Sequence, residues 1–104
     1  MNPQFKKGVL NLCVLALLET RDMYGYELVQ AISSKINISE GAVYPLLRRL
    51  TAEGYFTTYM VESTEGPARK YYQITEDGKA QLRIQKMEWE HFYQAVNSLM
   101  NEGE

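Results

Sequence analysis

Residues Val9 to Leu18 read VLNLCVLALL, a run in which Asn11 is the one polar side chain. A helix over Phe5–Glu19 built on it is apolar almost all round, so it is central and buried. The run is far shorter than the about 20 residues that cross a bilayer. Lys6 and Lys7 before it mimic a signal peptide, yet no small-residue cleavage site follows, and Leu12 ahead of Cys13 does not suit lipoprotein processing. In a chain of 104 residues, 45% hydrophobic and 23% charged, one such helix implies a single small domain folded around it. A core of that size is modest, and oligomerisation would help it. Cys13 is the sole cysteine and forms no internal disulfide; it reads as a small buried hydrophobe in a reducing cytoplasm, where the Asn37-Ile38-Ser39 sequon has no meaning.

The remaining elements follow from periodicity and punctuation. TRDMYG ends the first helix, and Tyr26 to Lys35 forms a second with Leu28, Val29 and Ile32 on one side. The segment INIS runs extended to Ser39, whose hydroxyl is placed to cap a third helix that reaches Glu53 and stops at Gly54. YFTTYMVE and RKYYQI are strand-like runs on either side of a Gly66-Pro67 turn, a β-hairpin. Thr75 can cap a last helix to about Asn101, acidic at Glu76 and Asp77 in its first turn. The expected fold is mainly α with a small β-hairpin (α+β). Residues 1–75 form a winged helix-turn-helix and residues 76–104 a C-terminal dimerisation helix.

In that arrangement the third helix enters the DNA major groove and the hairpin grips backbone nearby. Val43, Leu46, Leu47 and Leu50 give the third helix its buried face, yet Gly41 and Pro45 interrupt it. Both breakers fall on the opposite face with Tyr44 and Arg48. Gly41 there lets backbone approach phosphate and leaves room for the Pro45 ring, which offers a flat apolar contact. Arg69 and Lys70 follow the Gly-Pro turn, two adjacent cations at a hairpin tip suited to phosphate contact or minor-groove insertion. Overall charge is −2, but residues 1–75 carry eight Lys/Arg against seven Asp/Glu, and residues 76–104 three against six. The acidic excess lies in the last helix, which leaves a basic face possible on the first part.

Four segments, YGYEL (24–28), SEGAVYPLLRRL (39–50), GPARKYYQIT (66–75) and EDG (76–78), resemble the PadR family of bacterial transcriptional regulators, in register from residue 8 to about 82. The short tail resembles the subfamily with compact C-termini. The resemblance implies a winged-helix homodimer that represses transcription at a pseudo-palindromic operator. It places Tyr24 near phosphate at the start of the second helix, Tyr44 and Pro45 on the recognition helix, and Arg69 and Lys70 in the wing. Many members have Thr or Ser where this chain has Ala42, so base readout rests more on Tyr44, Ser39 and apolar contact with thymine methyls. Glu40 fits a helix-start charge better than a cytosine acceptor. Affinity would come from Arg48, Arg69, Lys70 and Lys35 on the phosphates of double-stranded DNA.

Leu82, Trp89 and Val96 lie seven apart on the last helix, as do Phe92 and Leu99, with Tyr93 and Met100 widening the stripe and Gln85 the polar position in the second row. Such a helix must bury its face, and a two-fold dimer would do so against the partner's first helix. In similar short-tailed PadR proteins a tryptophan at the position of Trp89 lines an apolar pore where flat aromatic compounds stack; here Trp89 either lines such an effector pore or fills the interface. His91, the only histidine, has no partners at metal-ligand spacing. No nucleophile elbow, phosphate loop or dinucleotide fingerprint is present, so neither catalysis, metal nor cofactor is expected. The alternative to a DNA-binding regulator is a winged-helix protein-interaction module, which would lack Tyr44, Arg48 and the wing cations.

Overall fold

The computed structural model describes residues 3–101. Its axis is α1 (Pro3–Thr20). Leu10, Val14, Leu15 and Leu18 are buried on one side, and Leu12, Cys13 and Leu17 pack partly buried around the remainder. The run is thus buried along one face only: Ala16 is exposed and Val9, Leu12, Cys13 and Leu17 stay half-covered, which corrects the expectation of a helix buried almost all round. No helix among the described residues is long and apolar enough to cross a membrane. α2 (Gly25–Ser33) turns Leu28, Val29 and Ile32 inward, and α3 (Glu40–Ala52) turns Val43, Leu46, Leu47 and Leu50 inward. Truncating any one of the fully buried leucines to alanine would cost about 2–5 kcal/mol.

α3 ends at Ala52, and Gly54 just beyond its C-cap takes φ +88°, a conformation that penalises any side chain. The chain then enters β2 (Phe56–Val61) and returns in β3 (Arg69–Ile74). Met23 and Tyr24 fall in the expected break between the first two helices. They form β1 (Met23–Tyr24), paired antiparallel with β3 so that the sheet runs β1–β3–β2. Phe56 and Tyr72 close the core from the sheet, whose inner face covers the helices.

α4 (Glu76–Met100) is fixed at its start by Thr75. The Thr75 hydroxyl accepts from Gly78 N–H at 3.0 Å and donates to the Gly54 carbonyl at 2.7 Å, so the expected cap also ties the end of α3 to the start of α4. The helix packs on α1 and β3 near its N-terminal end, where Leu82 joins the core. Leu82 therefore serves its own chain rather than an interface, a correction to the seven-residue stripe. Beyond it, Phe92, Tyr93, Leu99 and Met100 are 54–71% exposed. A helix of this length drives the molecular extent of 59 × 28 × 21 Å.

Candidate nucleic-acid interface

The outer side of α3 begins at Ser39, the expected N-cap, with extended backbone at φ −95° and ψ 158°. Its hydroxyl caps no amide; the first bond of the turn is instead Ala42 N–H to the Ser39 carbonyl at 3.1 Å. The hydroxyl is thus unspent on the helix and remains exposed. Gly41, Ala42, Pro45 and Arg48 are exposed beside it. A Cβ built on Gly41 would meet nothing closer than Ser39 Oγ at 3.8 Å. The expectation that glycine is needed there to accommodate the Pro45 ring is therefore corrected: folding imposes no such need. Pro45 supplies no N–H to the Gly41 carbonyl one turn back.

Tyr44 differs from its neighbours. It is half-buried, and its ring lies against Gly25, where an added Cβ would stand 2.7 Å from Tyr44 Cε1. The reason is the proximity of α2's first turn, which a glycine alone permits. Tyr44 also lies beside Tyr72. Burial, then the neighbouring Tyr44, push the Tyr72 phenol above the usual 10.0, and the Arg48 guanidinium pulls it part of the way back.

Tyr24 closes β1 and precedes α2. Its backbone N–H donates to Glu27 Oε1 at 3.2 Å, and Glu27 Oε2 pairs with Arg21 at 3.0 Å, which holds the α2 N-terminus in a fixed frame. Arg69 stacks its guanidinium 4.7 Å from the centroid of the Tyr24 ring. Tyr24, Gly25, Tyr26, Tyr44, Arg69, Lys70 and Tyr72 together line an open recess of about 320 Å³. Two cations, phenol groups and the positive end of α2 thus converge on one concavity, an arrangement that suits a backbone phosphate. Lys35, Ser39, Gly41, Ala42, Pro45 and Arg48 lie outside it. Lys35 is exposed just past α2, its N–H bonded to the Ile32 carbonyl at 3.0 Å.

The wing differs from its expected form. Arg69 and Lys70 open β3 instead of forming the hairpin tip, and both line the recess beside Tyr24. The tip, residues 62–68, carries Glu62 and Glu65 and no Lys or Arg. An acidic tip is repelled by phosphate, so minor-groove insertion by it is disfavoured. Tyr26, Tyr59, Tyr71 and Tyr72 carry no site signal in the sequence alone. Tyr24, Tyr71 and Tyr59 face one another across the three strands, and the cross-strand register carries the signal for this row once β1 is recognised.

A second concavity, of about 550 Å³, lies between Gly8, Val9, Asn11 and Leu12 of α1 and Gln81, Gln85, Glu88, Trp89 and Phe92 of α4. Trp89 contacts Tyr93 with ring centroids 6.1 Å apart, and both Trp89 and Val96 are half-buried. Asn11 on its wall has a second partner: Arg49 Nη2 of α3 donates to Asn11 Oδ1 at 2.8 Å. The groove and the third helix thus share one side chain. Cys13 is half-buried in α1 and burial pushes its thiol above 9.0. Among the described residues no group of three His, Cys, Asp or Glu side chains is placed to hold a metal ion.

Residues 14–84 match the model of the transcriptional regulator PadR-like family. A PadR-like transcriptional regulator from Bacillus cereus is 39% identical and superposes with a TM-score of 0.85 over 97% of this chain and 99% of its own. A PadR family transcription regulator from Clostridium difficile is 29% identical, with a TM-score of 0.80 over 88% and 98%. The transcriptional regulator Rv3488 of Mycobacterium tuberculosis is 30% identical over 80 residues, 76% of this chain and 74% of that protein. Winged-helix geometry, motif register and similarity along most of the length agree: the chain belongs to the PadR-like family of transcriptional regulators.

Proposed function

We propose that the protein is a homodimeric repressor that binds a pseudo-palindromic operator, with α3 in the major groove and the Tyr24–Arg69–Lys70 recess on the flanking phosphate backbone. The observation that carries this reading is the side-by-side placement of that recess and an outer α3 face whose Gly41, Pro45 and Arg48 have no duty in the core. Arg48, Arg69, Lys70 and Lys35 supply charge; Ser39, Ala42, Tyr44 and Pro45 supply readout, through hydroxyls and apolar contact with thymine methyls. Tyr44 acts from a half-buried position, so its ring is held and its reach fixed.

Dimerisation buries the open half of α4. Phe92, Tyr93, Val96, Leu99 and Met100 form the surface for it, with Trp89 at the margin. Two protomers then present recognition helices to half-sites about 34 Å apart. A flat aromatic effector in the α1–α4 groove beside Trp89 and Phe92 would relieve repression. Asn11 gives it a physical route to α3, because a ligand that displaces the Asn11 amide also breaks its bond to Arg49 and leaves Arg49 with its Glu53 ion pair.

The test is protection mapping of the protein on the region upstream of its own gene, followed by titration of a panel of planar aromatic compounds. The reading expects two protected half-sites one helical turn apart and quenching of Trp89 fluorescence that parallels release. Unprotected DNA at low salt would refute the operator reading. Protected DNA that no compound releases would remove only the effector.

A further inference from the structure

The outer face of the wing sheet carries an aromatic row that ends on a cation. The Tyr59 hydroxyl donates to Asp22 Oδ2 at 2.5 Å, and its ring stacks on Tyr71 at 5.6 Å with 13° between planes. Tyr71 in turn meets the Tyr24 ring at 5.5 Å, and Tyr24 lies under the Arg69 guanidinium at 4.7 Å. The row crosses all three strands, because Tyr24 and Tyr59 are both register partners of Tyr71 on the central strand. None of these rings is in the core, where Phe56 and Tyr72 close the sheet's other face.

A free arginine samples many rotamers and loses that freedom when it grips a phosphate. Arg69 is exposed at the strand end, beside a seven-residue acidic loop that would otherwise attract it. A face-on tyrosine holds it in one direction, and that tyrosine is itself held only if its own neighbours are. Asp22 anchors the far end of the row on the segment that leads into β1.

We infer that Tyr59 and Tyr71 are positioning residues for DNA binding: they brace Tyr24, which presents Arg69 to the phosphate backbone in a preset direction. This rests on the DNA-binding reading above. It gives the outer sheet face a role that neither the recognition helix nor the hairpin charge supplies.

The experiment measures affinity for a mixed-sequence 30-base-pair duplex across a salt series, which needs no knowledge of the operator. Tyr71→Leu is expected to weaken binding about two- to fivefold and to lower the salt slope toward that of Arg69→Ala, which drops by about one unit. Tyr71→Phe keeps the ring and restores both. Tyr59→Leu, at an exposed edge-strand position, gives a smaller loss of the same kind and stands in if Tyr71→Leu does not fold. In an Arg69→Ala background neither leucine variant has a further effect. Additive losses, or leucine variants that bind and respond to salt like the natural chain, overturn the positioning role and leave DNA binding intact. A natural chain that ignores the duplex at low salt overturns both.

Discussion

Replacing Gly41 with alanine separates what folding needs from what binding needs. Gly41 is the second residue of α3, and the methyl group would sit in open space apart from Ser39 Oγ at 3.8 Å, an ordinary contact. Glycine in a helix costs about 0.5–1 kcal/mol relative to alanine through backbone entropy, so the variant is expected to gain that much. For a domain of this size the gain raises the melting temperature by about 2–8 °C. Binding moves the other way. If the backbone at Gly41 approaches a phosphate or a base edge, the methyl group pushes it out of hydrogen-bond range. A lost charge-assisted hydrogen bond is worth about 1.5–3 kcal/mol, or at least tenfold in affinity. Thermal melting followed by circular dichroism, at matched protein concentration, reads the first effect. Fluorescence anisotropy with an upstream duplex reads the second. A more stable variant that binds as well as the natural chain would refute close approach at Gly41, and a less stable one would refute the open space.

Three further outcomes follow from particular contacts. Gly25→Ala places a Cβ 2.7 Å from Tyr44 Cε1, so it should lower stability by about 1–3 kcal/mol and weaken DNA binding with it, read by the same two assays. Arg48→Ala should leave the melting temperature within a few degrees, since the side chain is exposed, and lower the salt slope of binding by about one unit. Stability should fall on the alkaline side. Cys13 is raised above 9.0 by burial, Tyr72 above 10.0 by burial, and Tyr59 above 10.0 by its hydrogen bond to Asp22. A folded-state pKa above the unfolded one favours the protonated form on folding, so the contribution is complete below the ordinary values of 9.0 and 10.0 and is lost as pH climbs through the raised ones. Denaturant midpoints at pH 8 and pH 10.5 check the sign.

The helices, their order and most of their inward faces were legible because each carries its own periodicity. Leu28, Val29 and Ile32, or Val43, Leu47 and Leu50, announce a face without reference to any other segment. Thr75 and Gly54 were legible for the same reason, as local signals for a cap and a stop. β1 was not, since two residues have no period and exist as a strand only through pairing with Tyr71 and Tyr72, almost fifty positions away. The wheel position of Tyr44 puts it on the outer face, yet α2's first turn comes close enough at Gly25 to half-cover it. A helical wheel is blind to which neighbour arrives. The heptad spacing of the last helix treated Leu82 and Leu99 alike, whereas α1 packs against the beginning of α4 and leaves the end open. The tyrosine row and the Asn11–Arg49 bond join residues from separate elements, which spacing along one chain does not encode.

The most direct measurement is sedimentation of the purified protein with a labelled duplex from upstream of its own gene, at about 50 mM and about 200 mM salt. Two chains per duplex at the lower salt, with affinity falling steeply at the higher, would agree with paired recognition helices gripping phosphate on either side of α3. A protein that sediments as a lone chain, or a duplex that travels unbound at the lower salt, would contradict it.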